Sequence, residues 1–347
     1  MGEERTVSEV SETELIAAFS PLLPRGDHTL VPTGDDAAVI AAPDGRFVVS
    51  TDVLVEDRHF RRAWGTAEDV GWRAAMQNLA DIAAMGARPV SMVVGLVLPA
   101  DLPVDWVLGR ARGLAQACAP LGVGVDGGDL SSGESIVVAV TVHGDLGGRE
   151  PVLRRGARPG DVVAHAGVLG HAAAGLALLT ASTGSGWGTE GGAGSGGGTE
   201  AGAGERHARL VADFLRPRPP LAGGPAAADA GASAMMDVSD GLLRDAGRLA
   251  RASGVLLDLD PLETSVPDDL AVLEPVAHDL GLSARDWVLT GGEDHGLLAT
   301  FPRSAALPPG FRRIGEVRAV GAGEPAVLVG GHAPTTGSLG WDHFSGA

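Results

Sequence analysis

Apolar residues in this chain recur now with helical and now with strand spacing. A helix is predicted over Glu12–Phe19, then a strand over Arg46–Ser50 that delivers Thr51 and Asp52 at its end. Over Ala67–Met85 the residues Trp72, Ala75, Leu79 and Ile82 define a core face, and Gly86 with Pro89 beyond it marks the stop. Asn78 and Asp81, three apart, lie together beside that face. The apolar run Val90–Leu98, closed by Pro99, suits a buried strand and is too short to span a bilayer. A helix over Val104–Ala119 and strands over Gly122–Asp126 and Ser135–His143 complete a first half that mixes both element types.

The polar segment Arg149–Gly160, with its prolines and arginines, reads as a domain junction, giving an N-terminal α/β domain over 1–148 and a C-terminal α+β domain over 149–347. The second half restarts with a strand over Asp161–Ala166 and a helix over Gly170–Leu179. From Ala181 to Gly204 the chain holds only Gly, Ser, Thr, Ala and Glu apart from Trp187. Such a segment buries too little apolar surface to offset its ordering entropy, and is expected to be a disordered loop or internal linker. Regular structure resumes with a helix over Glu205–Leu215, a strand over Ser233–Met236 and a helix over Gly241–Arg251. A strand over Val255–Leu259, a helical stretch over Asp268–Leu280 with Pro275 as its candidate break, and a strand over Gly296–Phe301 follow.

Composition narrows the chemistry. With 347 residues and 44% hydrophobic content the chain can bury a sizeable core, and a formal net charge of −18 argues against nucleic acid held on a basic surface. No membrane partner is expected. The single cysteine, Cys118, fits a reducing compartment and sits in a helical pattern as a packing residue. Residues Met1–Arg5 lack the basic and apolar regions of a secretion signal, so the expected location is the cytoplasm. There is no lysine: all 26 basic side chains are arginine, which excludes a P-loop lysine and a Schiff-base lysine. A bound polyanion must then be neutralised by metal and arginine.

Five acidic motifs supply the rest: Gly34-Asp35-Asp36, Ser50-Thr51-Asp52, Asn78-Leu79-Ala80-Asp81, Gly127-Gly128-Asp129 and Asp237-Val238-Ser239-Asp240. These are hard oxygen ligands suited to Mg²⁺. One aspartate in a turn is more often a cap or turn former, and Asp237 or Ser239 could cap the following helix. Five such sites brought together by a fold would instead repel one another unless cations lay between them. Gly122-x-Gly124-x-x-Gly127 matches a dinucleotide fingerprint by letter but opens no helix; it reads better as a glycine turn that presents Asp129 and lets a ligand approach the backbone. Gly291-Gly292-Glu293-Asp294 adds another acidic turn, and Arg154-Arg155 an arginine pair near the junction.

In their joint order these strings resemble the thiamine-monophosphate kinase family, within the superfamily that includes aminoimidazole ribonucleotide synthetase, selenophosphate synthetase and the hydrogenase maturation carbamoyl dehydratase. The acidic motifs reach the superfamily; His59-Phe60 and the ending Trp341-Asp342-His343-Phe344 point to the family. The resemblance spans nearly the whole chain except the glycine-rich insert. It implies a two-domain aminoimidazole ribonucleotide synthetase-like fold, α/β then α+β, whose N-terminal metal- and nucleotide-binding sheet pairs across a homodimer. It also implies several Mg²⁺ ions held by Asp36, Ser50, Thr51, Asp52, Asp81, Asp129, Asp237 and Asp240, with Asp52, Asp129 and Asp240 catalytic. ATP as co-substrate would meet Gly128, Asp129, Arg154 and Ser239, and thiamine monophosphate would meet His59, Glu293 and Trp341. Two departures stand out: His295 where the family usually has Tyr, and the long insert.

The implied chemistry is ATP-dependent phosphorylation of a phosphate monoester. With a second pKa of about 6 such an acceptor is largely anionic at neutral pH and needs no general base, so positioning and charge neutralisation do the work. The alternatives are another ATP-dependent enzyme of the superfamily, and a metal-dependent phosphohydrolase with water as acceptor.

Overall fold

The computed structural model describes residues 5–33, 37–183, 202–321 and 323–341. The chain divides into two compact units, Met1–Ala83 with Ala87–Arg149, and Ala84–Gly86 with Glu150–Ala347.

In the first unit, helix α1 (Glu12–Phe19) has the predicted bounds. Its start is fixed by a capping box: Ser11 Oγ accepts from the Glu14 amide (3.2 Å) while the Glu14 carboxylate accepts from the Ser11 amide (2.8 Å). Strands β1 (Thr29–Val31) and β2 (Val39–Ile40) pair antiparallel. Then come β3 (Val48–Val55), α2 (Ala67–Ala84), β4 (Arg88–Leu98), α3 (Val104–Cys118), β5 (Gly124–Ser132) and β6 (Val137–Asp145). Four of these strands form a sheet in the order β3-β6-β4-β5, with β4 and β5 parallel and joined by the crossover helix α3. Valines 138, 140 and 142 of β6 are buried on one face. Helices α2 and α3 touch backbone to backbone, which only glycine permits: a Cβ on Gly71 would lie 2.1 Å from Arg110 O, and one on Gly113 2.0 Å from Glu68 O.

Two sequence expectations fail here. Strand β3 runs to Val55 because β6 pairs with every residue from Val48 on, so Ser50, Thr51 and Asp52 lie within the strand and not at its end. Likewise Gly127-Gly128-Asp129 is not a turn. The register against β4 continues through Val93–Gly127, Val94–Gly128 and Gly95–Asp129 after a bulge at Asp126, so the pairing overrides the low strand propensity of glycine. Helix α2 is buried on nearly all sides, beyond the one predicted stripe, with Trp72 only half-buried. Cys118 is fully buried beside Met92, and burial pushes its thiol up to about 12, in keeping with a packing role.

The second unit contains β7 (Val162–Ala166), α4 (His171–Thr183), α5 (Ala203–Leu215), α6 (Gly223–Asp229), β8 (Ala234–Val238), α7 (Leu242–Ser253) and β9 (Val255–Leu259). It continues with α8 (Leu262–Ser265), α9 (Pro267–Leu280), α10 (Ala284–Thr290), β10 (Gly296–Phe301), β11 (Phe311–Ala319) and β12 (Ala326–Val329). Among the described residues its six strands order as β12-β9-β11-β7-β10-β8, antiparallel except for β12 with β9. Strand β10 is buried throughout because it feeds two cores: Leu298 packs with α7, α9 and α10, and Leu297, Ala299 and Phe301 pack on the other face. Helix α9 passes through Pro275 unbroken. The proline removes one amide donor, and buried Leu270, Leu273, Val276 and Ala277 hold the helix. At the glycine-rich insert α4 extends through Ala181–Thr183 and α5 starts at Ala203, so those edges are helical; residues 184–201 lie outside the described residues. No helix among the described residues is long and apolar enough to cross a membrane.

Candidate functional site

In the first unit, strand alternation sorts the predicted ligands by face. Ser50 and Asp52 point to the side covered by α2, where Ser50 Oγ donates to Asp81 Oδ2 at 2.7 Å. Thr51 turns the other way: its Oγ1 donates to Val140 O (2.9 Å) and accepts from Thr141 Oγ1 (3.0 Å). Asp129, exposed, shares Thr51's face, since it pairs with Gly95 in the row of Ala139 and Val53. The fold therefore brings Ser50, Asp52 and Asp81 together and separates them from Thr51 and Asp129. Asp36 lies outside the described residues. His59 closes the turn after β3, its Nδ1 accepting from the Val55 amide (3.0 Å), which assigns the ring proton of the neutral form to Nε2. Phe60 beside it is buried and stacked on Trp106.

In the second unit three segments converge on the turn after β8. Glu293 N donates to Ser239 O (2.8 Å), His295 N to Val238 O (3.0 Å) and Trp341 N to Asp240 O (2.9 Å). Asp237, Ser239, Asp240, Glu293 and Trp341 are thus held side by side. Glu293 and His295 adopt left-handed backbone angles, φ 72° and 53°, a strain these two hydrogen bonds maintain. Gly292 is required because a Cβ there would lie 2.4 Å from Ser239 O.

The charges interlock as well. His295 stands between Asp237 Oδ2 (3.7 Å) and Glu293 Oε2 (3.4 Å), ion-pair distances at which neither ring nitrogen makes a hydrogen bond. Burial opposes its protonation, but the two carboxylates prevail and hold its pKa near 10. Asp245, fully buried, was missed from the sequence. Its Oδ2 accepts the amides of Ser239 (3.1 Å) and Asp240 (2.9 Å), so neither Asp237 nor Ser239 caps α7. Arg248 Nη1 bridges Asp245 Oδ1 (2.6 Å) and Asp240 Oδ2 (2.7 Å). Desolvation raises Asp245 to about 6 against those amide bonds.

Next to this turn, buried Asp294 accepts the amides of Gly170 (2.5 Å) and Ala172 (2.7 Å) at the start of α4, and burial lifts it to about 7. Arg154 is placed elsewhere. Ser253 Oγ, at the last residue of α7, donates to Arg154 O (3.1 Å), so a helix roughly 17 Å long separates the Arg154 backbone from the turn that leads into α7.

Among the described residues no three His, Cys, Asp or Glu side chains form a ready metal cage. The donor chemistry nonetheless suits Mg²⁺, which keeps several waters and commonly uses one or two carboxylates together with substrate phosphates. Asp81 with Ser50 and Asp237 with Asp240 offer such carboxylates.

The sheet order, the acidic strand of the first unit and the clasped turn of the second define an AIR synthase-like protein. The family model for AIR synthase related protein, N-terminal domain, matches residues 34–146. The chain is 45% identical over 315 residues to the thiamine-monophosphate kinase of Mycobacterium tuberculosis (strain H37Rv), covering 91% of this chain and 86% of that protein. It is similar in structure to thiamine-monophosphate kinase from Stenotrophomonas maltophilia K279a, with TM-score 0.74 and 31% identity over 94% of this chain and 98% of that one. The AaThiL structure complexed with AMPPCP and TMP superposes with TM-score 0.71 at 30% identity, over 99% and 100% of the two chains. The chain belongs to the thiamine-monophosphate kinase family.

Proposed function

We propose that this chain transfers the γ-phosphoryl group of ATP to the phosphate of thiamine monophosphate by direct in-line attack, giving thiamine diphosphate and ADP. The observation that carries this reading is likeness over nine-tenths of the chain to kinases of one activity, one of which has been captured with AMPPCP and TMP.

The acceptor phosphate is the nucleophile and is largely deprotonated at neutral pH. What remains is to overcome repulsion between two anions and hold their oxygens in line. Asp36, Ser50, Thr51, Asp52, Asp81, Asp129, Asp237 and Asp240 are the residues we assign to Mg²⁺. When bound, Mg²⁺ supplies charge neutralisation and alignment of the phosphate oxygens. Gly128, Asp129, Arg154 and Ser239 are assigned to ATP. His59, Glu293 and Trp341 are assigned to the acceptor, where an exposed indole can attract a thiazolium ring by about 0.5–2 kcal/mol. Asp52, Asp129 and Asp240 complete the assignment as catalytic carboxylates. Asp240 and Asp237, which would hold Mg²⁺, are paired with Arg248 and His295, so these two cations temper the negative charge of the turn.

The assembly assigned is a homodimer formed through the first unit's sheet. Its edge strand β3 leaves Val49 and Val53 exposed next to exposed Phe47, in support; light scattering giving a monomer mass at micromolar concentration would remove this part.

Product analysis tests the reaction. With ATP and Mg²⁺, thiamine monophosphate is converted to thiamine diphosphate and ADP, while unphosphorylated thiamine is a poor acceptor because its neutral hydroxyl needs a base. Release of inorganic phosphate without thiamine diphosphate would instead establish the phosphohydrolase.

A further inference from the structure

The first unit contains a partly open cavity of about 680 Å³ that borders both faces of the edge strand β5. On the side covered by the helices its walls are Ile16 and Phe19 of α1, Leu23, Val94 and Leu96 of β4, and Leu114 of α3. One helical turn before Leu114 stands Arg110, which also lines the cavity and is 1% exposed. Its Nε and Nη1 find no hydrogen-bond partner, and no carboxylate among the described residues pairs with it. Asp126 lines the same cavity, but its oxygens are taken by the hydroxyls of Thr29 and Ser91, each at 2.6 Å. Burial lowers the Arg110 pKa only to about 10, so the group is a cation at neutral pH.

A buried cation without a counter-charge is costly, and the usual resolution is an anion with oxygens to match the guanidinium fork. Two features select its type. The lobe beside Arg110 is apolar, which favours a hydrocarbon body over a polar one. The remaining ionisable lining is Glu12, Asp126, Asp129 and Asp145 against Arg46 and His143, an acidic balance that disfavours a second negative charge.

We propose that the helix-covered lobe binds a small aliphatic acid, its carboxylate on Arg110 and its chain among Ile16, Phe19, Leu23 and Leu114. The cavity also reaches Gly128 and Asp129, which are assigned to ATP, so the test reads Mg-ATP affinity alongside acid binding to tell the two sites apart.

The test is calorimetric titration of the full chain with sodium octanoate, with octanol and octyl phosphate as comparators. Octanoate should bind saturably with one-to-one stoichiometry and raise the Tm, and octanol should bind at least about tenfold more weakly. Arg110→Met should weaken octanoate at least about tenfold while leaving Mg-ATP affinity unchanged. Should that variant fail to fold, Ile16→Glu decides: Ile16 is 38% exposed, so the fold tolerates a carboxylate that repels the ligand. Absence of saturable octanoate binding, undiminished binding by both variants, or tighter binding of octyl phosphate than of octanoate overturns the proposal. Loss of Mg-ATP affinity in Arg110→Met also overturns it, because the lobe would then belong to the nucleotide site.

Discussion

Asp245 receives the Ser239 and Asp240 amides on one oxygen and the Arg248 guanidinium on the other, so it shapes a turn whose own side chains are assigned to metal and ATP. Asp245→Ala leaves two part-buried amides without their acceptor and takes from Arg248 one of its two carboxylates. The expected cost is about 3 kcal/mol of stability, together with a loss in kcat/KM for ATP on the order of a hundredfold from the misplaced turn. Asp245→Asn keeps an acceptor oxygen and should recover part of both; unchanged kinetics in the alanine variant would remove the positioning role. Trp341 differs, because its backbone amide, which any residue but proline supplies, donates to Asp240 O. Trp341→Ala should therefore raise the acceptor KM roughly 2- to 30-fold, the cation–π range, with the ATP KM unmoved; a matching rise in both constants would argue against it. The sequence displayed Trp341, Glu293 and Asp237 through their motifs. Asp245 lay hidden as an ordinary acid in a helix, although its spacing from Leu242 and Leu249 places it on the buried face, and a carboxylate there needs a partner.

At the level of elements, α1, β9 and β10 have the bounds the apolar pattern predicts, because apolar runs closed by turn residues leave little freedom of register. The first unit's ligand strands were less legible. Glycine in β5 and the polar run Ser50-Thr51-Asp52 in β3 carry no strand signal of their own, and pairing with β4 and β6 decides them. The resulting alternation has a consequence for Asp52. Asp52→Asn preserves shape and leaves the β3–β6 ladder intact, so it should retain the wild-type Tm while turnover falls at least about a hundredfold; near-normal turnover at saturating Mg²⁺ would show that this carboxylate is not a ligand. Another element-scale effect concerns the start of α4. His171 is opposed by burial but held protonated by Asp213 (2.9 Å) and Asp269 (3.4 Å), raising it from 6.5 to about 9. The folded value exceeds the unfolded one, so this stabilisation is full below pH 6.5 and lost as pH rises through 9, up to about 3 kcal/mol. The stability gap between wild type and His171→Gln should close across that interval in urea titrations. A gap that stays constant with pH would mean His171 acts by packing alone.

For the molecule as a whole, the sequence motifs exposed the chemistry more readily than its arrangement, because a motif marks a residue's type while facing and convergence depend on pairing far along the chain. The glycine-rich insert is the reverse case, a long segment with almost no chemistry. Helices α4 and α5 meet where Gly175 lies so close to Leu210 O that a Cβ would come within 2.2 Å, and the ends Thr183 and Ala203 each lie about two turns from that contact. Helices packed in this way need only a short connection. Residues 184–201 offer a single large apolar side chain, Trp187, no arginine with which to hold a phosphate, and Glu190 and Glu200 as their only carboxylates. Replacing them with a six-residue Gly-Ser linker should leave kcat and both KM values within about twofold. It should also raise stability by about 1 kcal/mol, since closing a loop one-third as long costs less entropy. The measurement is a denaturant titration beside steady-state kinetics on the shortened chain. A several-fold rise in the KM for ATP or thiamine monophosphate, with stability unharmed, would mean that the insert covers a substrate; a fall in stability would mean that Trp187 anchors it to the fold.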